Sequence, residues 1–182
     1  MSGRLIVLSG PGGVGKSTIV SQLRGREDFY FSISATTRAP RVGEDDGVAY
    51  HFVDDARFDE MIARGEFLEW ASFAGNRYGT LKAPVVAALE SEKNVLLEIE
   101  IDGARQVKRA LPGALLVFLQ PPSFSDLEAR IRGRGTDSPE RIAARLDLAR
   151  VEMAAASEFD HILTNHRVEE VVAALVSLAT AH

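Results

Sequence analysis

Short apolar runs alternate along the chain with longer segments in which apolar residues recur every three or four positions. The runs are typical of buried strands because they are short and rich in Val, Ile and Leu. The longer segments have the spacing of helices that bury one face. Strands that alternate with helices predict an α/β fold, with a parallel sheet and helices on both of its faces. The predicted strands cover residues 5–8, 94–101, 114–119 and a weaker one near 161–165; the predicted helices cover 17–24, 84–91, 103–110, 125–132, 139–156 and 168–179.

Residues 33–80 interrupt this alternation. They are rich in Thr, Tyr, Phe, Gly and Arg, and they contain one short helical pattern near residues 56–63. We interpret the chain as a single domain, residues 1–182, because its length suits one hydrophobic core. The core would consist of residues 1–32 and 81–182, and the interrupting segment would form a small inserted lobe of mixed strands.

A second irregular segment, GRGTDS, ends at Ser138. Serine is a favoured N-cap, and the following Pro139 suits the first position of a helix. A glycine-rich loop that ends at a well-defined helix start predicts a short lid, which we place at about residues 125–145.

Composition narrows the classes of function. The net charge of −5 disfavours broad binding to nucleic acid. The chain has no cysteine, which excludes disulfides, thiolate metal sites and cysteine catalysis. The amino terminus has too few consecutive apolar residues for a signal peptide, and no apolar run approaches the length of a membrane span. We therefore expect a cytoplasmic protein with no nucleic-acid or membrane partner, in which an anionic ligand needs a local cluster of positive groups.

Residues 10–17 read GPGGVGKS and lie between a predicted buried strand and a predicted helix. This sequence, in this context, matches the pattern G-x-x-x-x-G-K-[ST]. Glycines allow successive backbone N–H groups to point into one concavity, and the start of the helix adds further donors. Lys16 would supply a mobile charge for the β- and γ-phosphates, and Ser17 a hydroxyl for Mg²⁺. The loop therefore predicts binding of a nucleoside triphosphate.

The segment SATTRAPR, after a strand-like FYFSI, presents three hydroxyls and two arginines. Arg38 and Arg41 suit phosphate binding because the planar guanidinium can donate two parallel hydrogen bonds. The hydroxyls of Tyr50 and Tyr78, further along the chain, can also bond phosphate oxygens. A buried carboxylate such as Glu69 accepts two hydrogen bonds, a pair that guanine offers at N1 and N2 and adenine does not. Because a phosphate loop accompanies them, these residues together predict a second anion site, in which Glu69 is a candidate for reading a guanine edge.

Three acidic residues follow one another in NVLLEIEIDG. Glu98, Glu100 and Asp102 are spaced i, i+2 and i+4, which places them on one face of the predicted strand. They approach the carboxyl end of that strand, where α/β proteins bind their ligands. A carboxylate there can organise water on Mg²⁺ or hold a polar group of the phosphoryl acceptor.

Several stretches together resemble the guanylate kinase family, and the resemblance runs from Arg4 to about Leu175. They are GPGGVGKST, SISATTRAPRVGEDDGVAYHFV, GEFLEWASFAGNRYGT, RIRGRGTD and EFDHILTN, of which the second and third are much more specific than the first. The resemblance implies a P-loop NTPase-type core, a GMP-binding lobe, and transfer of the γ-phosphoryl group of ATP to GMP with Mg²⁺. The chain departs from the family at Glu100, where the family usually has aspartate, so the carboxylate reaches about 1 Å further.

The resemblance also implies roles for individual residues. The residues expected to hold the GMP phosphate are Arg38, Arg41, Tyr50 and Tyr78. Those expected to read the guanine edge or complete the GMP site are Ser34, Glu69, Thr80, Glu98 and Glu100. Those expected to bind ATP are Gly10, Pro11, Gly12, Gly13, Val14, Gly15, Lys16, Ser17, Thr18 and Asn165. Those expected to stabilise the transferring phosphoryl group are Lys16, Arg38, Arg130, Arg134 and Arg145.

Three alternatives stay open on the sequence alone. A ribose bisphosphate kinase of related fold would need no guanine-reading residue at Glu69. A catalytically inactive, kinase-like binding module would need neither Lys16 nor Ser17, and both are present. A regulatory GTPase would be expected to carry a guanine-specific motif such as N-K-x-D, and we find none in the sequence.

Overall fold

The computed structural model describes residues 3–133 and 137–181. Within these ranges, a five-stranded parallel sheet forms the centre of the molecule. Its strands are β1 (Leu5–Ser9), β2 (Phe29–Tyr30), β7 (Asn94–Glu98), β8 (Leu115–Gln120) and β9 (His161–Thr164). Their order across the sheet is β2–β7–β1–β8–β9, so the strand that precedes the glycine-rich loop lies in the middle.

Helices cover both faces of this sheet. Alternate residues of each strand point to opposite faces, and both sets are apolar, so each face needs a cover. Ile6 and Leu8 of β1 pack into one apolar cluster, whereas Leu5 and Val7 pack into another. The first cluster is completed by α1 (Lys16–Leu23), α5 (Phe124–Gly133), α6 (Pro139–Ala154) and α7 (Val168–Thr180). The second is completed by α3 (Lys82–Glu90) and α4 (Ile101–Ala110). The predicted α/β fold with a parallel sheet and helices on both faces is confirmed.

A second sheet, of mixed direction, lies beside the first. Within the described ranges it has four strands in the order β4–β3–β6–β5, and only β3 and β4 run parallel. Phe58 and Met61 of a helix seal its small apolar core. The bounds are β3 (Ala35–Thr36), β4 (His51–Phe52), α2 (Asp55–Ala63), β5 (Phe67–Phe73) and β6 (Asn76–Leu81).

The hairpin between β5 and β6 closes through two residues with positive φ, Ala74 at 49° and Gly75 at 80°. Two such residues match the twist of antiparallel strands. The outer strand β5 is tied to the core through α4: the Gln106 side chain accepts from Trp70 N–H and donates to Trp70 C=O, both at 3.1 Å. The second sheet is therefore joined to the first through a helix that packs on both.

The predicted strand 94–101 is wrong at its end. The strand stops at Glu98, and a helix begins at Ile101 with Glu100 as its N-cap residue. Asp102 lies in the first turn of α4, where a carboxylate interacts favourably with the helix dipole, and it pairs with Arg105. Glu98, Glu100 and Asp102 therefore do not share one face of a strand. The alternation of acidic and apolar residues in this stretch fits a strand end and a helix start equally well.

The start of α6 agrees with its prediction, since the Ser138 hydroxyl accepts a hydrogen bond from the Arg141 amide and Pro139 opens the helix. A short 3₁₀ turn, Ala155–Glu158, follows α6. Among the helices that the structure describes, none combines the length and the apolar character that crossing a bilayer requires.

Candidate functional site

The glycine-rich loop joins the carboxyl end of the central strand β1 to the start of α1. Gly10 and Gly15 adopt φ values of 148° and 106°, which L-amino acids with a side chain rarely adopt. A Cβ atom at Gly10 would lie 2.3 Å from the Leu119 carbonyl oxygen, and one at Gly15 would lie 2.7 Å from Asn165 Nδ2. Both glycines are therefore required by the backbone path, and Gly10 is also required by the closeness of strand β8.

The Lys16 ammonium folds over this loop and donates to the carbonyl oxygens of Gly10 and Pro11. Burial lowers the pKa of Lys16, and the negative charges of Glu100, Glu152 and Glu98 oppose that shift. Lys16 is thus a half-buried cation that the charges of three carboxylates stabilise.

Ser17, the next residue, donates a hydrogen bond from its hydroxyl to Glu98 Oε1 at 3.0 Å. A hydroxyl and a carboxylate oxygen are hard ligands of the kind that Mg²⁺ prefers, and Mg²⁺ commonly takes few protein ligands beside phosphates. Among the described residues, no group of three or more acidic or histidine side chains could hold a metal ion by itself. The loop therefore fits a Mg²⁺ ion that arrives with a nucleotide.

The outer side of the loop is held through the carbonyl oxygen of Val14. Asn165, which is buried, donates to it from Nδ2 at 2.8 Å, and Arg130 donates from its guanidinium at 3.2 Å. The structure thus places Asn165 and Arg130 against the loop, although they lie 151 and 116 positions away in the chain.

The other two arginines of the predicted lid are Arg145 and Arg134, and the structure describes only the first. Arg145, on α6, forms an ion pair with Asp137, whose side chain is 13% exposed. Arg134 lies outside the described residues, so its predicted role stays a prediction.

A cavity of about 220 Å³ opens between the two sheets, next to the loop. Glu98 belongs to both, because it accepts the Ser17 hydrogen bond and also lines the cavity. Other residues that line it are Arg24, Phe31, Ser34, Tyr50 and Thr80. The loop and the cavity are therefore neighbours at the carboxyl end of the sheet, the edge at which open α/β sheets bind ligands.

Glu69 is 8% exposed and does not line this cavity, but it bonds Thr80, which does. Its Oε1 accepts hydrogen bonds from the Thr80 hydroxyl at 2.6 Å and from the Thr80 amide at 3.1 Å. Burial raises the pKa of Glu69, and the two bonds from Thr80 lower it in part. The helix α4 can approach this carboxylate because it has a glycine there: a Cβ at Gly103 would lie 3.0 Å from Glu69 Oε2.

Arg38 lies on the second sheet and is stacked on aromatic rings. Its guanidinium carbon is 5.4 Å from the centre of the Tyr50 ring, and the Tyr50 and Tyr78 ring centres are 6.0 Å apart. The guanidinium also donates two parallel hydrogen bonds of 2.9 Å to the Glu44 carboxylate. Arg41 is exposed, and its backbone amide donates to the same carboxylate at 2.8 Å.

Sequence reasoning missed two acidic residues of this region. Glu44 neutralises Arg38; the Arg38 guanidinium and the Arg41 amide lower its pKa to about 2. Glu152, on α6, is 7% exposed, and its negative charge raises the pKa of Lys16. In the sequence Glu44 is one of several acidic residues in GEDDG, and Glu152 is one charge on a long helix. Only its position seven residues after Arg145, hence on the same helix face, could have marked Glu152.

Glu100 lies on the loop side, because its negative charge raises the pKa of Lys16 and of Glu152. It does not line the cavity. A larger depression of about 670 Å³ lies at the opposite end of the sheet, near Arg4 and Gly113. None of the predicted site residues within 3–133 and 137–181 lines that depression.

Of the predicted site residues, Ser34, Tyr50, Thr80 and Glu98 line the smaller cavity, and Lys16, Arg130 and Asn165 contact the loop. Arg38, Arg41, Glu69 and Tyr78 do not line the cavity.

Comparisons with known proteins point to one family. The family model described as guanylate kinase matches residues 2–182. A guanylate kinase from Thermobifida fusca is 56% identical over 179 residues, which are 98% of this chain and 91% of that protein. One from Mycolicibacterium paratuberculosis is 58% identical over 179 residues, which are 97% of this chain and 80% of that protein. A crystal structure of guanylate kinase from Anaplasma phagocytophilum matches with a TM-score of 0.73 and 28% identity, over 98% of this chain and 85% of that chain.

Proposed function

Because the chain belongs to the guanylate kinase family, we infer that it transfers the γ-phosphoryl group of ATP to GMP and releases ADP and GDP. The observation that carries this reading within the molecule is the position of Glu98. It bonds Ser17 of the glycine-rich loop and lines the neighbouring cavity, so a donor in the loop and an acceptor in the cavity would meet beside one carboxylate. The inactive binding module and the ribose bisphosphate kinase are not favoured.

The donor side is built by the loop from Gly10 to Thr18. Its backbone N–H groups and the start of α1 would hold the phosphates of ATP. Lys16 would leave the carbonyl oxygens of Gly10 and Pro11 and turn towards the β- and γ-phosphates. Asn165, which already touches the loop, would lie near the base of ATP.

Mg²⁺, held by the Ser17 hydroxyl and the phosphates, would neutralise negative charge on the donor.

The acceptor side is built by the second sheet. The cavity is smaller than the roughly 300–1,000 Å³ of most ligand pockets, so GMP would extend beyond it. We place the guanine near Thr80, Ser34 and the buried Glu69. We place the phosphate near the stacked Arg38 and Tyr50. Residues assigned to the GMP phosphate are Arg38, Arg41, Tyr50 and Tyr78; residues assigned to the guanine or its surroundings are Ser34, Glu69, Thr80 and Glu98. Glu100, which the sequence also assigns to the GMP site, is on the loop side, where its charge raises the pKa of Lys16.

The reaction needs no general base, because the second pKa of a phosphate monoester is about 6 and the GMP phosphate is mostly a dianion at pH 7. A GMP phosphate oxygen attacks the γ-phosphorus of ATP. The bond from that phosphorus to the bridging oxygen breaks, and ADP leaves with the electron pair. Catalysis then consists of alignment and charge neutralisation by Lys16, Arg38 and the lid arginines Arg130, Arg134 and Arg145.

We also propose the division into a core, an inserted lobe at about residues 33–80 and a lid at about 125–145. The second sheet, formed within residues 35–81, supports the lobe. A cytoplasmic location agrees with substrates drawn from the nucleotide pool.

A coupled assay of ADP release tests the proposed function. ATP is supplied with GMP, AMP, CMP or UMP in turn, and once with no acceptor. We expect ADP release with GMP and little with the other nucleotides. Equal release with all four, or release that needs no acceptor, would contradict the proposal.

A further inference from the structure

Gln106 is a half-buried polar residue of α4 that the mechanism above does not use. Its side-chain amide spans one residue of β5, the outer strand of the second sheet: Oε1 accepts from the Trp70 N–H and Nε2 donates to the Trp70 C=O, both at 3.1 Å. The backbone groups on the free side of an outer strand are otherwise unpaired within the protein. Gln106 therefore fixes one point of β5 against the core.

This fixed point lies next to the buried acid of the second sheet. The N–H of Trp70 belongs to the peptide bond that joins it to Glu69, so a bond to that N–H also holds the backbone of Glu69. The far end of the Glu69 side chain is held by Thr80, whose hydroxyl and amide both donate to Oε1. The backbone of Glu69 and one of its carboxylate oxygens are thus held by two different elements, α4 and β6.

A glycine lets α4 come close enough for this contact. Gly103 and Gln106 are three positions apart, so they lie on the same face of the helix. A Cβ atom at Gly103 would lie 3.0 Å from Glu69 Oε2, whereas both bonds from Thr80 reach Oε1. The next residue, Ala104, is fully buried in the core. One helix seated in the core therefore provides both the space for the carboxylate and the amide that fixes its backbone.

We propose that Gln106 is a positioning residue for recognition of the acceptor base. It acts through Glu69: by fixing the peptide bond between Glu69 and Trp70 against α4, it sets the place at which Oε2 meets the hydrogen-bond donors of a guanine. Gln106 itself does not line the cavity. The inference rests on the proposed function, in which Glu69 accepts hydrogen bonds from the base.

Two variants remove parts of this contact. Gln106→Met keeps the length of the side chain and removes both hydrogen bonds, and Gln106→Glu keeps an oxygen that accepts from the Trp70 N–H but loses the donor to its C=O. Trp70 is 37% exposed, so water can bond its backbone groups and the fold should survive. The matched control is Gln22→Met, the same substitution at an exposed glutamine of α1.

The measurements are the ratio of kcat/KM for GMP and AMP, calorimetric Kd for GMP, KM for ATP, and the thermal midpoint of each variant. We expect Gln106→Met to lower the ratio and to raise Kd for GMP, each about fivefold, the order of one net hydrogen bond. Gln106→Glu should shift both in the same direction. KM for ATP should not change, and Gln22→Met should match the parent protein.

A double-mutant cycle with Glu69→Gln tests whether Gln106 acts through Glu69. If it does, Gln106→Met should lower the ratio much less in the Glu69→Gln background than in the parent, because the group that it positions is already altered. A purely structural role predicts that the two effects multiply, and that KM for ATP rises together with KM for GMP. Either of these results, or an unchanged ratio in Gln106→Met, would overturn the proposal.

The same data separate this inference from the proposed function. If the parent protein does not prefer GMP to AMP, the proposed function fails, and the role of Gln106 fails with it. If the parent prefers GMP and Glu69→Gln lowers that preference but Gln106→Met does not, only the inference about Gln106 fails. If Gln106→Met does not fold, Gln106→Glu decides in the same cycle.

Discussion

The two anion sites of this molecule are built from different materials. The glycine-rich loop is made of backbone, and its shape follows from positive φ angles at glycines between a central strand and a helix. The site on the second sheet is made of side chains: Arg38 stacks on Tyr50, and Glu44 occupies its guanidinium. A backbone site is ready before a ligand arrives, whereas a phosphate at Arg38 must compete with Glu44 or share the guanidinium with it.

This difference predicts where substitutions act. A change in the loop should affect the chemical step, because Lys16 stabilises charge that develops during transfer. A change on the second sheet should affect recognition of the acceptor. The four predictions below test that division.

Lys16→Ala should have the largest effect. Removing the positive group that turns towards the transferring phosphoryl group lowers kcat by about 10²- to 10³-fold. KM for GMP should change little, because Lys16 lies on the loop side. Steady-state kinetics with both substrates varied measure this, and Lys93→Ala, at an exposed lysine, is the matched control. A variant that kept its kcat would remove Lys16 from the mechanism.

Arg41→Met should raise KM for GMP by about ten- to a hundredfold, the cost of losing a charge-assisted hydrogen bond to phosphate. Its side chain is exposed and its backbone amide, which bonds Glu44, is kept, so the fold should not change. Arg64→Met, at an exposed arginine after α2, is the control. A change confined to KM for ATP would mean that Arg41 binds ATP and not GMP.

Glu69→Gln should reduce discrimination between GMP and AMP about tenfold, because an amide no longer accepts both guanine protons. The ratio of kcat/KM for the two acceptors is the measurement. Thr80→Val removes the hydroxyl that holds Glu69 Oε1 and should shift the ratio in the same direction. An unchanged ratio in both variants would show that the base is read elsewhere.

Glu44→Gln should have the smallest effect, a lower thermal midpoint that depends on pH. The folded protein lowers the pKa of Glu44 from 4.5 to about 2, so the ionised group stabilises the fold above pH 4.5. This contribution is lost as pH falls towards 2, and the variant never has it. The difference in midpoint between parent and variant should therefore be constant from pH 7 to 5 and shrink below.

Glu90→Gln, at an exposed acid at the end of α3, is the control for that series. A difference in thermal midpoint between the parent and Glu44→Gln that stayed constant down to pH 3 would mean that the charge of Glu44 does not stabilise the fold.

The same contrast explains what could be predicted from the sequence. The loop was predictable because its chemistry depends on residue types at fixed spacing, with Gly10 and Gly15 required by the backbone itself. The parallel sheet was predictable because its strands are buried on both faces and read as apolar runs. The arrangement of charged side chains was not, because Glu44 and Glu152 gain their roles from partners that only the folded chain brings near.

The end of β7 shows a related limit. Residues 98–102 alternate acidic and apolar types, a period that favours a strand, yet the helix starts at Ile101. What decides is tertiary contact: Gly103 and Gln106 of α4 pack against Glu69 and Trp70 of the second sheet. No local pattern contains that information.

The close approach of α4 to Glu69 has a consequence for engineering. With 3.0 Å between the carboxylate and the place where a methyl group would sit, position 103 has almost no spare volume. Even alanine there would push on the acid, although glycine at that helical position costs about 1 kcal/mol of intrinsic helix stability relative to alanine. A library designed to broaden the choice of base should therefore vary positions 69, 80 and 103 together, since a larger residue at position 103 needs a smaller one at position 69, and Thr80 bonds the side chain at position 69.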